Sequence, residues 1–217
     1  MRFAAAPGAT ELILVRHGES APAVPGIPFP LVDGHGDPPL APEGEAQAER
    51  VAACLVEQAV DAVYVTNLRR TAQTAAPLLS KIGLTAAVEP DLREVHLGEW
   101  EGGLFRMRVA AGDPVAARML AEQRWDVIPG GEPDEAFCAR VRAGVRRLHE
   151  DNPGKRLAVF THSGVIGCAL SLATGASRLA FARADNGSIS RLVVEGDTWH
   201  VRSFNDTAHL AEMVTRE

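Results

Sequence analysis

Cysteine is scarce in this 217-residue sequence. Cys54, Cys138 and Cys168 are odd in number, far apart and without a Cys-x-x-Cys pair. That argues against a disulfide framework, and the three read as small buried hydrophobes in a reducing compartment. Long apolar runs are missing too: none reaches the length that crosses a membrane. The opening MRFAAAPGAT is Ala-rich and has no apolar core of the secretory kind, so a cytoplasmic protein is the expectation. Basic residues are in deficit, 22 Lys and Arg against 28 Asp and Glu, a net charge of −6. That argues against a nucleic-acid binder, whose footprint is a basic face; a small anion in a local basic pocket stays compatible. There is no internal repeat and no low-complexity tract. What remains is ordinary globular composition, 46% hydrophobic and 23% charged, enough for a full core. The length suits one α/β domain with some elaboration, or two small ones.

The chain is organised around residues 11–20, ELILVRHGES. Leu12 to Val15 have the length and branching of a buried strand. The run stops at Arg16-His17-Gly18, which sets a permanent cation and an imidazole at the carboxyl edge of a sheet, where open α/β sheets bind ligands. Gly18 lets the backbone turn and approach a ligand. Two readings fit the tripeptide alone: an anion site with a nucleophile in it, or a strand end with a solvated Arg and His. Residues 20–41 hold six prolines with Gly26, Gly34 and Gly36, and are expected to form neither helix nor central strand but a stiff wall over the site. Then follow a helix over 42–59, a strand over 61–65, a helix capped by Thr66 or Asn67 and ended by Gly83, and a short strand over 84–88. Residues 91–102 read as irregular chain. Residues 103–130, broken at Gly112-Asp113-Pro114 and Ile128-Pro129-Gly130-Gly131, read as a choppy helical lid or cap insertion. A helix over about 132–150, a buried strand over 156–162, a helix capped by Ser163, and a hairpin of 188–195 and 198–205 complete the chain. The tail after 206 is expected to be loose.

Strand, corner and helix recur three times, and each corner carries a cation or imidazole: Arg16-His17, Arg69-Arg70 and His162. If the strands are neighbours in one sheet, these groups converge. In a dry pocket they repel one another, and a doubly charged phosphate resolves that repulsion; arginine suits its multidentate binding. The helix starts after 66 and 163 add N–H donors and positive dipole ends. Glu94, in the same region, is a carboxylate for moving a proton. Each residue has a plainer rival. Arg70 also reads as a solvated helix residue and His162 as a satisfied core histidine. Glu99, Glu101 and Asp91 compete with Glu94. His96 is within reach of the pocket from the acid segment, whereas His35, His149, His200 and His209 have no motif support and read as surface or strand residues. Arg106, Arg108 and Arg118 read as a solvated helical face, or as a grip on a second anionic group. Trp100 and Trp125 read as packing of the lid.

LVRHGES, TNLRRTAQTA, LREVHLGEWEG, VFTHSGVI and NGSIS occur in that order over roughly residues 10–194. Together they resemble the motifs of the histidine phosphatase superfamily, also called phosphoglycerate-mutase-like. The resemblance implies a three-layer α/β/α sandwich with a mixed, mostly parallel sheet, here one domain over 1–217 with the lid at about 103–130. It implies that His17 is the nucleophile and becomes a phosphohistidine. Arg16, Arg70 and His162 would bind the phosphoryl oxygens; Arg70, not Arg69, falls on the family's Leu-x-Arg pattern. Glu94 would protonate the leaving alcohol and then take a proton from water. Gly18, Ser20, Ser163 and Gly164 are the expected substrate-binding residues. The implied activity is that of a metal-independent phosphomonoester hydrolase with no cofactor, acting on a small-molecule phosphoester and on neither nucleic acid nor membrane. The chemistry of the residues agrees. A neutral imidazole is a good in-line nucleophile, and phosphoryl transfer needs positioning and charge stabilisation above all. Burial raises the pKa of Glu94 and the cations lower it, a balance the sequence leaves open.

The sequence departs from the family pattern once. After Arg-His-Gly the family commonly has Glu-Thr or Gln-Ser, then an aromatic residue and an Asn that commonly helps hold phosphate, whereas here Ser20 is followed by Ala-Pro-Ala-Val. The expected substitute is Ser20 or a backbone N–H of the 20–39 loop, unless the pocket itself is altered. Asp37-Pro38-Pro39-Leu40 with Glu43-Gly44 looks like the family's next turn and restores the register. Residues 103–130 lack recognisable mutase lid segments, so the hydrolase is preferred over two alternatives, a phosphoglycerate-mutase-type phosphotransferase and a non-catalytic phosphate-binding domain. The oligomeric state stays open, a homodimer included.

Overall fold

Strand β1 (Thr10–Arg16) divides its buried side chains between two cores. Leu12 and Leu14 join Leu157 and Val159 on one side; Ile13 and Val15 join Ala158 and Phe160 on the other. A strand covered on both faces reads as an unbroken apolar run, as this one does. Burying each such side chain contributes roughly 1.5–3 kcal/mol relative to leaving it in water. The structure is a computed structural model that describes residues 6–211. Expectations for the N-terminus and the far tail therefore fall partly on residues 1–5 and 212–217, outside the described residues. Just after 206 the chain forms a short 3-10 turn, Ala208–Leu210.

Strands β2 (Leu31–Val32) and β3 (His35–Gly36) form a small hairpin within the proline-rich loop. Its turn is Asp33-Gly34, both at positive φ, the geometry of a two-residue hairpin turn. Strands β4 (Ala62–Val65), β5 (Ala86–Val88), β6 (Arg156–Thr161), β7 (Ile189–Glu195) and β8 (Thr198–Asp206) complete a six-stranded sheet with β1, in the order β5-β4-β6-β1-β7-β8. The pairs β5·β4, β4·β6 and β6·β1 are parallel; β1·β7 and β7·β8 are antiparallel. Helices α1 (Pro42–Leu55) and α2 (Arg69–Ile82) cover one face through Val51, Leu55, Ala75 and Leu78. Helices α3 (Leu104–Ala110) and α4 (Pro114–Glu122) occupy the choppy segment, where Trp100, Ala116, Met119, Val127, Ile128 and Leu179 form a third apolar cluster. Helices α5 (Asp134–Asp151) and α6 (Ser163–Thr174) cover the other face through Phe137, Val141, Ile166 and Leu170. The result is the expected α/β/α sandwich around a mixed, mostly parallel sheet. No helix of the described residues is long and apolar enough to cross a membrane.

Two helix starts differ from expectation. Neither Thr66 nor Asn67 caps α2; the cap residue is Leu68, without a side-chain bond. Asp37 of the proline-rich loop takes over, its Oδ1 accepting the Arg69 N–H at 2.8 Å. Ser163 likewise does not cap α6. It already lies within the helix, its Oγ accepts the Arg183 N–H at 3.0 Å, and the Gly164 N–H is left to Glu94. In both cases a carboxylate from a distant segment displaces the local capping residue, and an acid at a helix N-terminus is favoured by the exposed N–H groups there. The expected end of α2 holds: Gly83, at φ +71°, returns its N–H to the Leu79 carbonyl.

Candidate active site

Strands β1, β4 and β6 run parallel, so their carboxyl ends open on one edge, where α2 and α6 begin. His17, Arg70 and His162 meet there, with 5%, 7% and 0% of their surfaces exposed. His17 Nδ1 is 2.7 Å from the Gly18 carbonyl, and Arg70 Nε is 3.2 Å from His17 Nε2. A carbonyl only accepts and a guanidinium only donates. The imidazole is therefore the neutral Nδ1–H tautomer, with a lone pair on Nε2. Burial first, then Arg70 and Arg16, hold the His17 pKa well below the usual histidine value. The His162 ring stands edge-on to it, centroids 5.2 Å apart, with Nε2 bonded to Thr66 Oγ1 at 3.0 Å. Burial, followed by Arg70 and His17, keeps His162 neutral as well. Asn186, from the NGSIS segment, donates to the His17 carbonyl at 3.0 Å.

Arg70 is anchored by Nη1 on the Gly36 carbonyl at 2.9 Å and lies 3.9 Å from Asp37. Burial pushes its pKa down to about 10, which still leaves it charged at neutral pH. Arg69 turns outward onto Asp37 with 44% of its side chain exposed, so the two adjacent arginines separate as the Leu-x-Arg pattern implies. Arg16 donates to the Ala184 carbonyl. Arg16 Nε and His162 Nδ1 are buried without a protein partner. Unpaired buried polar groups cost about 1–3 kcal/mol each, and here they lie beside two guanidinium groups.

Glu94 faces the same space. Its Oε1 accepts from Val95 N–H at 3.0 Å and its Oε2 from Gly164 N–H at 3.2 Å. Burial raises its pKa above the usual carboxylate value; the two N–H bonds, Arg70 and Arg16 pull it back by less. The balance left open by the sequence thus falls toward the protonated form. The rival acids have other partners: Asp91 pairs with Arg147, and Glu101 accepts from Gly36 and Leu97 N–H groups. Glu99 is exposed.

Arg16, His17, Arg70 and Glu94 line a chamber of about 560 Å³, together with Ser163 and Gly164, whereas His162, fully buried against His17, is not on its lining. Gly18 and Ser20, expected to bind substrate, stand one step back. The Gly18 N–H goes to Thr74 Oγ1 at 3.0 Å, and a Cβ there would come within 2.4 Å of the Gly44 carbonyl. Its glycine requirement is thus the close passage of the chain over α1. Ser20 Oγ accepts from Arg106 Nη2 at 2.6 Å. Arg106 Nη1 donates to the Ala21 carbonyl, and the guanidinium lies over the Phe29 ring, 5.6 Å from its centroid. Where the family carries its Asn, the loop instead anchors an arginine from α3 that reaches the chamber wall. Arg108 and Arg118 pair with Asp113 and Glu122 at the surface, as a solvated face does.

Sequence reasoning missed His35. It is 5% exposed and on the chamber wall, with Nδ1 facing the Asp33 carbonyl at 3.0 Å and Nε2 buried without a partner. Its position just after the Asp33-Gly34 turn and just before Gly36-Asp37, which hold Arg70 and Arg69, is the signal available in hindsight. His96 packs edge-on against it at 5.0 Å but does not line the chamber.

Proteins of similar sequence and shape handle phosphate esters by name. A Yersinia enterocolitica protein named "Probable phosphoglycerate mutase GpmB" is 29% identical over 207 residues, 92% of this chain and 94% of its own. Among solved structures, a mycobacterial glucosyl-3-phosphoglycerate phosphatase is 26% identical at a TM-score of 0.74, covering 90% of this chain and 98% of its own. The alpha-ribazole phosphatase of Shigella flexneri is 26% identical at a TM-score of 0.72, covering 90% and 96%. A phosphoglycerate mutase from Bacillus anthracis, at 20% identity and a TM-score of 0.77 over 94% and 96%, shares the fold. The family model of branch 1 of the histidine phosphatase superfamily matches residues 12–207, and the chain belongs to that superfamily.

Proposed function

We propose that the protein hydrolyses phosphomonoesters through a phosphohistidine on His17, without a metal. The observation that carries this reading is the His17 tautomer: its proton is committed to the Gly18 carbonyl, which leaves Nε2 as the lone-pair nitrogen beside Arg70. In the first step Nε2 attacks phosphorus in line, the P–O bond to the alcohol breaks, and Glu94 protonates the departing oxygen. Arg16, Arg70 and His162 hold the non-bridging oxygens as charge builds on them. In the second step water attacks phospho-His17, gives its proton to Glu94, and the P–N bond breaks. Splitting one displacement into two is the gain of nucleophilic catalysis.

Incubation of the protein with a panel of phosphomonoesters in excess EDTA tests the scheme. Turnover undiminished by EDTA and an acid-labile, alkali-stable phosphoprotein are the expected results. Loss of turnover with EDTA, or no phosphoprotein in an active preparation, would overturn it. The relatives named as mutases support a second reading, phosphoryl transfer back to a hydroxyl of substrate. That reading requires isomerisation of a phosphoglycerate to outrun phosphate release, which the same panel measures.

The contact between Glu94 and α6 supplies a further check. A Cβ on Gly164 would meet Glu94 Oε1 at 2.3 Å. Gly164→Ala displaces that carboxylate, and kcat is expected to fall about a hundredfold, the usual cost of a misplacement near 1 Å. The inhibition constant of inorganic phosphate is expected to change far less, since the cationic end of the chamber is untouched.

A further inference from the structure

The chamber that begins at His17 does not stay polar. Away from the phosphate-facing end its wall is Phe29, Phe105, Val109, Met119, Leu120 and Trp125, most of them from α3, α4 and the turn that follows. Val109 and Leu120 line it while 44% and 39% exposed, so the fold's own packing does not use these faces. Apolar side chains left open at the mouth of a cleft mark a binding surface.

Most charged groups on the wall have other work. Arg106 is held by Ser20 and Ala21. Glu101 accepts two backbone N–H groups, from Gly36 and Leu97. Asp185 accepts from Asn205 Nδ2 at 2.8 Å, and Arg183 lines the chamber from an exposed position. Arg183 is thus the cation on this wall that remains for a second carboxylate or phosphate, and a solvent-exposed pair of that kind contributes only about 0–1 kcal/mol, less than the apolar stretch offers an apolar alcohol.

We infer that this chamber selects phosphomonoesters of apolar alcohols and phenols, of aryl or medium alkyl size, over phosphorylated small acids. The inference rests on the hydrolase reading of the same site and names the class of alcohol it releases. A volume near 560 Å³ is in the range that accepts a ligand far larger than phosphate alone. The alcohol lies against the α3–α4 wall while its phosphate sits on His17, and the bridging oxygen faces Glu94.

A series of ethyl, butyl and hexyl phosphate tests this, because the three share one leaving-group basicity and differ only in apolar length. Each buried methylene is expected to raise kcat/KM by about fourfold, so that hexyl exceeds ethyl phosphate by about two orders of magnitude. 3-Phosphoglycerate and O-phosphoserine are expected to fall at least about a hundredfold below hexyl phosphate. Val109→Asp and Leu120→Asp, at positions exposed enough to carry a charge, are expected to flatten the series below about twofold per methylene. A flat series in the wild type, or preference for the two phosphorylated acids, with turnover still dependent on His17, would overturn the chamber inference and leave the hydrolase standing. A steep series unchanged in both Asp variants would remove the α3–α4 wall as its cause. Absence of His17-dependent hydrolysis with every ester would overturn the inference together with the reading beneath it.

Discussion

His17→Ala is expected to lower the turnover of every phosphomonoester by about 10⁴-fold or more and to abolish the phosphoprotein. The size follows from what the side chain supplies. Without it the two-step route closes, and what remains is a cationic pocket that binds phosphate and orients water. Removing the nucleophile from such a unit costs nearly the whole of its catalysis, with only binding and electrostatic assistance left. The fold is expected to survive the change. The His17 ring makes one bond to the Gly18 carbonyl and accepts one from Arg70 Nε, and Arg70 keeps its anchor on the Gly36 carbonyl when the ring is gone. Comparable thermal unfolding of variant and wild type, beside the lost activity, separates chemistry from stability. Turnover within tenfold of wild type, or a phosphoryl group still trapped on the variant, would end the His17 mechanism.

The second large effect belongs to Glu94→Gln. General acid help contributes on the order of 10²–10⁴ in rate, and an amide gives none. The loss depends on the alcohol. Para-nitrophenolate leaves without a proton, so its release is expected to fall least; an alkyl phosphate, whose alkoxide is strongly basic, is expected to fall most. The pH profile carries the same assignment. The first step needs His17 unprotonated and Glu94 protonated. The His17 pKa lies well below 6.5, so the acid limb of kcat/KM sits well below the ordinary histidine range. The Glu94 pKa lies above 4.5, so activity falls as pH rises through that raised value. The optimum is therefore expected between the lowered His17 value and the raised Glu94 value, and Glu94→Gln is expected to lose the alkaline limb while keeping the acid one. An unchanged profile in the variant would take Glu94 out of the proton path.

Much of the sheet and of the cationic cluster at its carboxyl edge was legible in the sequence because each part is a local pattern. Leu12–Val15 and Leu157–Phe160 are apolar runs that end abruptly in polar corners, and a parallel sheet brings such corners to one edge. Arg70 was separable from Arg69 only through the resemblance, whose Leu-x-Arg pattern falls on Arg70, and in the structure one step along the helix start turns a side chain from pocket to solvent. What stayed hidden has no local signature. The cap of α2 is Asp37, 32 residues back; the acid at α6 is Glu94, 70 residues back; the arginine on Ser20 is Arg106, 86 residues on. His35 was passed over for the same reason, since its burial depends on a hairpin that folds back over the sheet edge.

The third apolar cluster, around Trp100, Met119, Ile128 and Leu179, is separate from the two that clamp the sheet. On the proposed reading, the phosphoryl group would sit on strand ends packed from both sides, and the alcohol would meet helices packed on this third cluster. The same reading makes residues 104–124 the place where substitutions would redraw the range of alcohols accepted, one apolar side chain at a time, with the strand-end residues left as they are; Trp125, which packs against the sheet cluster as well, ties the two together.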